Sequence, residues 1–204
     1  MLNLSSCGQK ATEPPKPAEP AEAEVLETER KPVELPSLYE GLVTYAAGEV
    51  TLQRGGEDLF LEIGDIVTSK DIIITASDGI CEIQFLDIAV IRMQENTSLV
   101  IAKLDFASTN RSLNVEMAAG SVLVKAQRLL GRDNVSVSTE SVVCGVRGTE
   151  FSVKTSVQGK TVLSVKKGSV AVLPAALAAP VLLGDAEDPD GALEDLIEEV
   201  SRTS

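Results

Sequence analysis

The sequence contains no histidine and no tryptophan, and aromatic residues make up only 3% of its 204 residues. Without histidine, the chain cannot form Ser–His or Cys–His nucleophile pairs or His-containing metal sites. Scarce aromatic residues also disfavour stacking platforms for carbohydrates or single-stranded nucleic acids. Neither a Gly-x-Ser-x-Gly elbow nor a phosphate-binding glycine loop is present. We therefore expect a protein that is not an enzyme and has no cofactor, no metal site and no small-molecule substrate.

Long apolar runs are also missing, since no stretch approaches the roughly 20 apolar residues of a transmembrane helix. The net charge of −13 is concentrated in the two ends of the chain. Residues 1–40 carry eight acids and four bases, and residues 174–204 carry eight acids and one base. Residues 41–173 are nearly neutral, and we find no basic patch in the sequence that would indicate a nucleic-acid partner.

Proline is absent from residues 41–173, although six of the nine prolines lie in residues 1–40. Proline removes a ladder hydrogen bond, so its absence suits paired strands. The first 40 residues are rich in Pro, Ala and Glu, a composition typical of a disordered, extended linker. We therefore divide the chain into an N-terminal tether (1–40), a β domain (41–173) and a C-terminal segment (174–204).

Apolar and polar residues alternate along most of residues 41–173, which is typical of half-buried strands. Cys81, Ile83 and Phe85 alternate with polar residues, and Val135 and Val137 alternate with Ser136 and Ser138. About a dozen such strands predict an all-β fold, either an irregular β-helix or β-roll or a β-sandwich. One short sequence pattern occurs three times, at residues 46–52, 118–124 and 167–172. In each copy a glycine (Gly48, Gly120 or Gly168) precedes a predicted strand.

The C-terminal segment begins with a linker and ends in a predicted short acidic helix. Asp188 is a capping residue and Pro189 fits the first helical position. Apolar residues follow with helical spacing, at Leu193, Leu196, Ile197 and Val200. This stripe either packs on the β domain or binds a groove of a partner.

Short motifs follow one another between residues 48 and 151: Gly48-Glu49-Val50, Leu61-Glu62-Ile63-Gly64-Asp65, Ile74-Thr75 before Gly79, Asn96-Thr97-Ser98-Leu99, Gly120-Ser121-Val122, and Gly145-Val146-Arg147-Gly148-Thr149-Glu150-Phe151. In this order and spacing, the motifs resemble the FecR-type domain family of bacterial exported proteins. The family motif residues are Gly64, Asp65, Asn96, Gly120, Arg147, Gly148 and Thr149. We interpret them as structural, with Asp65 bonding backbone amides of its turn and Arg147 tying adjacent loops.

The resemblance implies an exported binding or assembly module. Regulators of this family carry a sigma-factor-binding region and a transmembrane helix before the domain, and we find neither pattern in residues 1–40. We therefore do not carry the sigma-regulator role over to this chain.

The three cysteines predict two different roles. Leu4-Ser5-Ser6-Cys7-Gly8 resembles a bacterial lipobox, which would make Cys7 the site of a lipid anchor. Six residues before Cys7 are too few for a signal peptide, so either the true start lies upstream or the match is chance and the chain is cytoplasmic. Cys81 and Cys144 fall in apolar strands, where they could form a disulfide or remain buried thiols.

These observations predict a non-catalytic envelope lipoprotein in the periplasm or at the cell surface. Its β domain would bind or scaffold an envelope protein or polymer. The alternative is a signalling adaptor that relays envelope or metal-uptake status through a partner protein.

Overall fold

The computed structural model describes residues 38–127, 133–146 and 148–182. They form an all-β fold of fourteen strands and one short helix, which confirms the predicted fold class. The elements are β1 (Glu40–Ala47), β2 (Val50–Arg54), β3 (Glu57–Phe60), β4 (Ile66–Thr68), β5 (Ile72–Thr75), β6 (Ile80–Phe85), β7 (Ala89–Met93), β8 (Thr97–Asp105), β9 (Ser112–Ala126), β10 (Asn134–Ser138), β11 (Val142–Val146), β12 (Glu150–Thr155), β13 (Thr161–Lys167), β14 (Val170–Pro174) and α1 (Ala175–Leu182).

The strands form one curled sheet with two halves that share β9. The first half-sheet has the order β4-β1-β6-β7-β9-β12-β13, and the second has the order β3-β2-β5-β8-β9-β10-β11-β14. Neighbouring strands are antiparallel, with the exception of the parallel pair β9 and β10. The chain passes from one half-sheet to the other at short turns, and this repeated crossing curls the sheet.

Strand β9 is the element that joins the two half-sheets. Its first part pairs with β8 and β10, and its last part pairs with β7 and β12. The change occurs around Gly120, whose φ of +110° is a conformation that side chains with a Cβ rarely adopt. The sequence predicted a turn before a new strand here. The structure instead has one continuous strand that bends at Gly120, because ladder pairing continues on both sides of it.

A single core lies between the two half-sheets, and it is mainly aliphatic with a few buried phenylalanines such as Phe85 and Phe151. Ile83 and Ile91 of the first half-sheet and Ile73 and Leu99 of the second belong to this cluster and are fully buried. Burying each such side chain contributes about 1.5–3 kcal/mol. The alternation predicted for β6 is confirmed, since Cys81, Ile83 and Phe85 face the core while Gln84 is exposed.

Strand β10 differs from the predicted alternation. Ser136 is fully buried, although the pattern placed it on the opposite, solvent-facing side from Val135 and Val137. Its hydroxyl donates a 2.9 Å hydrogen bond to Asn114 Oδ1 on β9. A paired hydroxyl is tolerated inside a protein, so serine does not mark an exposed face here.

Helix α1 lies in the segment that the sequence analysis assigned to a linker. The Ala175 amide donates to the Ser141 carbonyl, and α1 lies against β11 and β14. The helix predicted from Asp188 lies outside the described residues, as do residues 1–37 of the predicted tether. Strand β1 begins at Glu40, one residue before the predicted start of the β domain. Within the described part, no helix is long and apolar enough to cross a bilayer.

The structure decides between the two alternatives for the strand cysteines. Cys81 on β6 and Cys144 on β11 are both free thiols, and both are buried. Burial raises the pKa of Cys81 to about 12, with a further contribution from the charge of Glu82. Burial raises the pKa of Cys144 to about 11.

Candidate functional site

Four turns between the half-sheets stack along one end of the domain and form what we call the corner row. Its members are Gly48-Glu49, residues 76–79, residues 94–96 and Gly120-Ser121. Backbone hydrogen bonds link each turn to the next: Ala76 N donates to Glu49 O (3.0 Å), Asn96 N to Ala76 O (3.0 Å) and Gln94 N to Ser121 O (2.9 Å). The motifs that are separate in the sequence therefore form one continuous ladder.

Two buried threonines fasten the corner row. The Thr75 hydroxyl donates to Gln94 O at 2.6 Å and accepts from Thr97 N at 3.0 Å. The Thr97 hydroxyl accepts from Ser121 N at 3.0 Å and lies 3.2 Å from Ser121 O. Both side chains are almost completely buried. These hydroxyls satisfy backbone groups that the turns would otherwise leave unpaired.

Gly120 and Asn96 have backbone conformations that fit this arrangement. A Cβ on Gly120 would overlap the hydroxyl oxygen and Cα of Thr97. Asn96 has a φ of +55°, which asparagine tolerates better than most residues. The structure therefore brings the predicted motif residues Asn96 and Gly120 together on either side of Thr97. Thr97 lies within one of the sequence motifs, but no local pattern marked it as a site residue.

Gly148 and Thr149 form a second corner of the same type. The Thr149 hydroxyl donates to Ser169 O at 2.7 Å, and the Thr149 carbonyl accepts from Ala126 N at 2.9 Å. A Cβ on Gly168 would lie 2.9 Å from the Thr149 hydroxyl oxygen. Gly168 therefore faces Thr149 as Gly120 faces Thr97. Arg147, the predicted tie between loops, lies outside the described residues.

Gly64 and Asp65 form a separate turn between β3 and β4. Asp65 Oδ2 accepts a 2.8 Å hydrogen bond from Glu62 N, the turn geometry that the sequence suggested. Gly64 N donates to Val43 O, and Val43 N donates to Asp65 O, both at 2.9 Å. This turn therefore docks on β1.

Two arginine–aspartate pairs, neither of them predicted from the sequence, tie loops together. Arg54 donates to Asp71 from Nε at 2.9 Å and from Nη2 at 2.6 Å. Arg111 donates to Asp133 at 3.1 and 2.7 Å, and Asp133 also accepts from the Arg111 amide. Both aspartates are buried. Isolated charges in a sequence give no signal for such long-range pairs.

A shallow groove of about 360 Å³ runs beside the corner row. Its walls come from the turn at residues 94–96, the bend at residues 119–121 and the β12 end with the start of its hairpin at residues 154–157. Backbone groups, the exposed cation of Lys154 and the exposed side chain of Val157 line it. Among the described residues, no group of three or more His, Cys, Asp or Glu side chains is placed to hold a metal ion.

The comparison with known families matches residues 71–171 to the family described as FecR protein. This region contains Asn96, Gly120, Gly148 and Thr149, the motif residues of both corner types. No curated protein and no solved structure was found that matches the chain.

Proteins of the FecR family are envelope-associated regulators, and their FecR-type domains interact with partner proteins in signalling. The domain therefore indicates an envelope signalling-related role for the chain. The motif order noted in the sequence and the family match, which covers three of the four turns of the corner row, lead to one conclusion: this chain carries a FecR-type domain.

Proposed function

We propose that the chain is a non-catalytic envelope lipoprotein whose FecR-type β domain binds or scaffolds an envelope protein or polymer. The observation that supports this most directly is that hydroxyls within the family motifs bond to the protein's own backbone and are not left free for catalysis. The Thr97 and Thr149 hydroxyls bond backbone groups of neighbouring corners. Motif chemistry of this kind builds a rigid frame that presents its outer strands and turns to a partner.

The tether is the second part of the proposal. The lipobox-like run Leu4-Ser5-Ser6-Cys7-Gly8 places a candidate lipid attachment site before a Pro/Glu-rich segment. Chains of this composition act as extended spacers. A lipid on Cys7 would hold the β domain at a membrane while leaving its surfaces accessible.

Fatty-acid labelling tests the anchor. The gene is expressed with its natural upstream region in the presence of a radioactive fatty acid, as wild type and as Cys7→Ala. We expect label in the wild type and none in Cys7→Ala. The matched control Cys144→Ala alters a buried thiol and should keep the label. Absence of label in all three proteins would remove the tether and favour the cytoplasmic alternative.

Crosslinking in intact cells tests the binding role. A photo-activatable residue placed on the exposed face of the β domain should capture an envelope protein or polymer reproducibly. An unrelated secreted β-protein with the same probe serves as control. Capture of no envelope component beyond that control would contradict the proposed role.

A signalling adaptor is the alternative function, and the regulatory character of the FecR family favours it. In this case, the acidic amphipathic helix predicted in residues 188–204 would contact the partner. Deleting these residues should then abolish partner capture while the β domain retains its melting temperature. Capture that persists after the deletion would exclude this version.

A further inference from the structure

Four strands have one partner each among the described strands, and they differ in how their second edge is covered. β4 has three residues, and its Ile66 carbonyl accepts a 2.8 Å hydrogen bond from Arg54. β14 contacts helix α1. β3 has four residues, of which Glu57 and Asp58 are acidic. β13 has seven residues, pairs only with β12 among the described strands and is exposed over its last four positions.

The pairing of β13 with β12 fixes which backbone groups face outward. Ser156 N donates to Lys160 O, so residues 156 and 160 form a bonded pair. In an antiparallel ladder, bonded and non-bonded pairs alternate. Val162 and Ser164 therefore bond to β12, and the backbone groups of Thr161, Leu163 and Val165 point away from it. Within the described residues, no strand bonds to this outer edge.

The edge is apolar as well as unpaired. Val157 in the adjoining turn is 82% exposed, and Val162 and Val165 in β13 are 51% and 46% exposed. Leu163 packs against the core and holds the strand in place. Proteins commonly guard a free edge with short strands, proline, bulges or charged side chains, lysine above all. β13 is seven residues long and has no proline, and its lysines leave the edge open to a strand of opposite charge.

The hairpin that carries this edge is basic, although residues 41–173 as a whole are nearly neutral. Residues 150–167 contain Lys154, Lys160, Lys166 and Lys167 but only one acid, Glu150. Lys166 Nζ lies 2.6 Å from Glu150 Oε1. This hydrogen bond, with the charges of Lys166, Lys125 and Lys167, lowers the pKa of Glu150. The lysines therefore create a positive potential along the edge.

The same lysines disfavour pairing between two copies of β13. An antiparallel pair centred on Leu163, which is a register that the outward backbone groups allow, would place Lys160 of each copy directly opposite Lys166 of the other. Like charges in directly opposed positions destabilise a strand pair. The edge is therefore suited to a segment of opposite charge and not to itself.

We propose that the free edge of β13 is a docking site for an extended acidic segment of a partner protein, which adds to the first half-sheet as a further strand. The partner's backbone pairs with Thr161, Leu163 and Val165, its carboxylates approach Lys160 and Lys167, and its apolar side chains cover the exposed valines. This proposal deepens the binding function proposed above by naming its surface and the chemistry of its partner.

A fluorescently labelled ten-residue peptide of alternating Glu and Val tests the site by anisotropy titration with the full chain. We expect saturable binding, with a Kd on the order of 10–100 μM for a single added strand. Two peptides of the same length serve as controls. The Lys-Val peptide reverses the charge, and the Glu-Pro peptide keeps the charge but lacks the backbone N–H of every second residue, which disfavours pairing as a strand. Both should bind at least tenfold more weakly.

Val165→Pro removes an outward N–H of β13 without removing a bond to β12, and it should weaken binding of the Glu-Val peptide at least tenfold. The matched control is Phe60→Pro on β3. Leu61 N donates to Val50 O, so alternation places the Phe60 N–H on the outer edge of its own strand. Phe60→Pro should bind as wild type does. The double variant Lys160→Glu/Lys167→Glu, which keeps every backbone donor, should also lose binding.

Several results would overturn the site. The first is a lack of saturable binding of the Glu-Val peptide, and the second is equally tight binding of the Glu-Pro peptide or of a single-stranded oligonucleotide. The third is unchanged binding of the Glu-Val peptide by a folded Val165→Pro protein. The fourth is a dimer in sedimentation that Val165→Pro abolishes, because a second copy would then occupy the edge. Cell crosslinking separates this failure from failure of the proposed function. Capture that persists in Val165→Pro cells rejects the β13 site alone, whereas no capture by the wild type rejects the binding function itself.

Discussion

At the residue scale, the contacts between glycine and threonine define the corners of this domain. Thr97 faces Gly120, and Thr149 faces Gly168; in both cases the threonine hydroxyl bonds to the serine that follows the glycine. The absence of a Cβ allows the close approach, and the hydroxyl satisfies the backbone exposed by the bend. Glycine and threonine are therefore paired requirements, although 23 and 19 residues separate them.

Gly120→Ala should destabilise the domain by about 3 kcal/mol or more, because it combines an unfavourable positive φ with overlap of the new Cβ and Thr97. Gly55→Ala is the matched control. Gly55 also has a positive φ, of +61°, but no atom lies within 4 Å of its Cβ position. This variant should lose only about 1 kcal/mol. Urea unfolding measures both, and equal losses would show that Thr97 does not restrict position 120.

The buried thiols predict a loss of stability at alkaline pH. Cys81 and Cys144 stay protonated in the folded protein up to about pH 12 and 11, while the unfolded chain loses these protons near pH 9. The unfolded state therefore binds fewer protons above pH 9, and the free energy of unfolding falls as pH rises. Each thiol contributes a slope of about 1.4 kcal/mol per pH unit between pH 9 and 11.

Urea titrations at pH 8, 9, 10 and 11 measure this effect in a Cys7→Ala background. Adding Cys81→Ala and Cys144→Ala should remove the thiol contribution from the slope, even though the two cavities lower stability at every pH. A thiol reagent at pH 8 should label the folded background protein slowly and the urea-unfolded protein fully. Rapid labelling of the folded protein would contradict the burial of these thiols.

Residue contacts could be predicted from the sequence where both partners are close together in the chain. The Asp65 bond to Glu62 N spans three residues and follows from turn chemistry alone. The contacts of Thr97 with Ser121, and of Arg54 with Asp71, depend on which turns become neighbours. No local pattern carries that information, so these residues could not be identified in advance.

At the scale of elements, alternation predicted the strands better than their connections. Period-two patterns predict which residues of β6 face the core, because each side of a strand meets one environment. They do not predict that β9 continues through Gly120 or that β10 is parallel to it. They also fail for Ser136, where a partner on the neighbouring strand makes burial of a hydroxyl acceptable.

A cluster of hydroxyls ties two hairpins that belong to different half-sheets. The Thr161 hydroxyl lies 3.2 Å from that of Thr139, 2.9 Å from that of Ser141 and 3.0 Å from that of Thr155. Thr139 and Ser141 lie in the β10–β11 hairpin, and Thr155 and Thr161 in the β12–β13 hairpin. The cluster continues the connection between half-sheets beyond the corner row.

Thr161→Val should destabilise the domain by about 1–3 kcal/mol, since it removes the shared hydroxyl while keeping the shape of the side chain. Amide hydrogen exchange should accelerate in the β10–β11 and β12–β13 hairpins. Thr161→Ser retains the hydroxyl and should leave exchange in the β10–β11 hairpin near the wild-type rate. Equal acceleration by both variants would indicate that packing of the threonine methyl, and not the hydroxyl, connects the hairpins.

At the scale of the whole molecule, the sequence is compatible with either a sandwich or a coil, and the described strands have features of both. Two half-sheets cover one core, as in a sandwich, while the chain crosses repeatedly between them at stacked corners, as in a coil. The alternation within a strand specifies which of its faces is buried but not which strands it pairs with. The choice between a sandwich and a coil therefore depends on long-range strand pairing. The near-neutral charge of residues 41–173 likewise concealed a basic hairpin, because charges averaged over a segment do not report their distribution on its surface.

Because one core joins both half-sheets, we expect the described strands to unfold as a single cooperative unit. Ile83→Ala in the first half-sheet and Leu99→Ala in the second each remove a fully buried side chain and should each cost about 2–5 kcal/mol. Far-UV circular dichroism reports all strands, whereas Tyr39 and Tyr45 lie at β1 and report the first half-sheet by fluorescence. Leu99→Ala should therefore shift the tyrosine transition and the circular dichroism transition to the same lower urea concentration. If the tyrosine signal kept its wild-type midpoint while circular dichroism shifted, the half-sheets would be separate folding units and the corner row would act as a hinge between them.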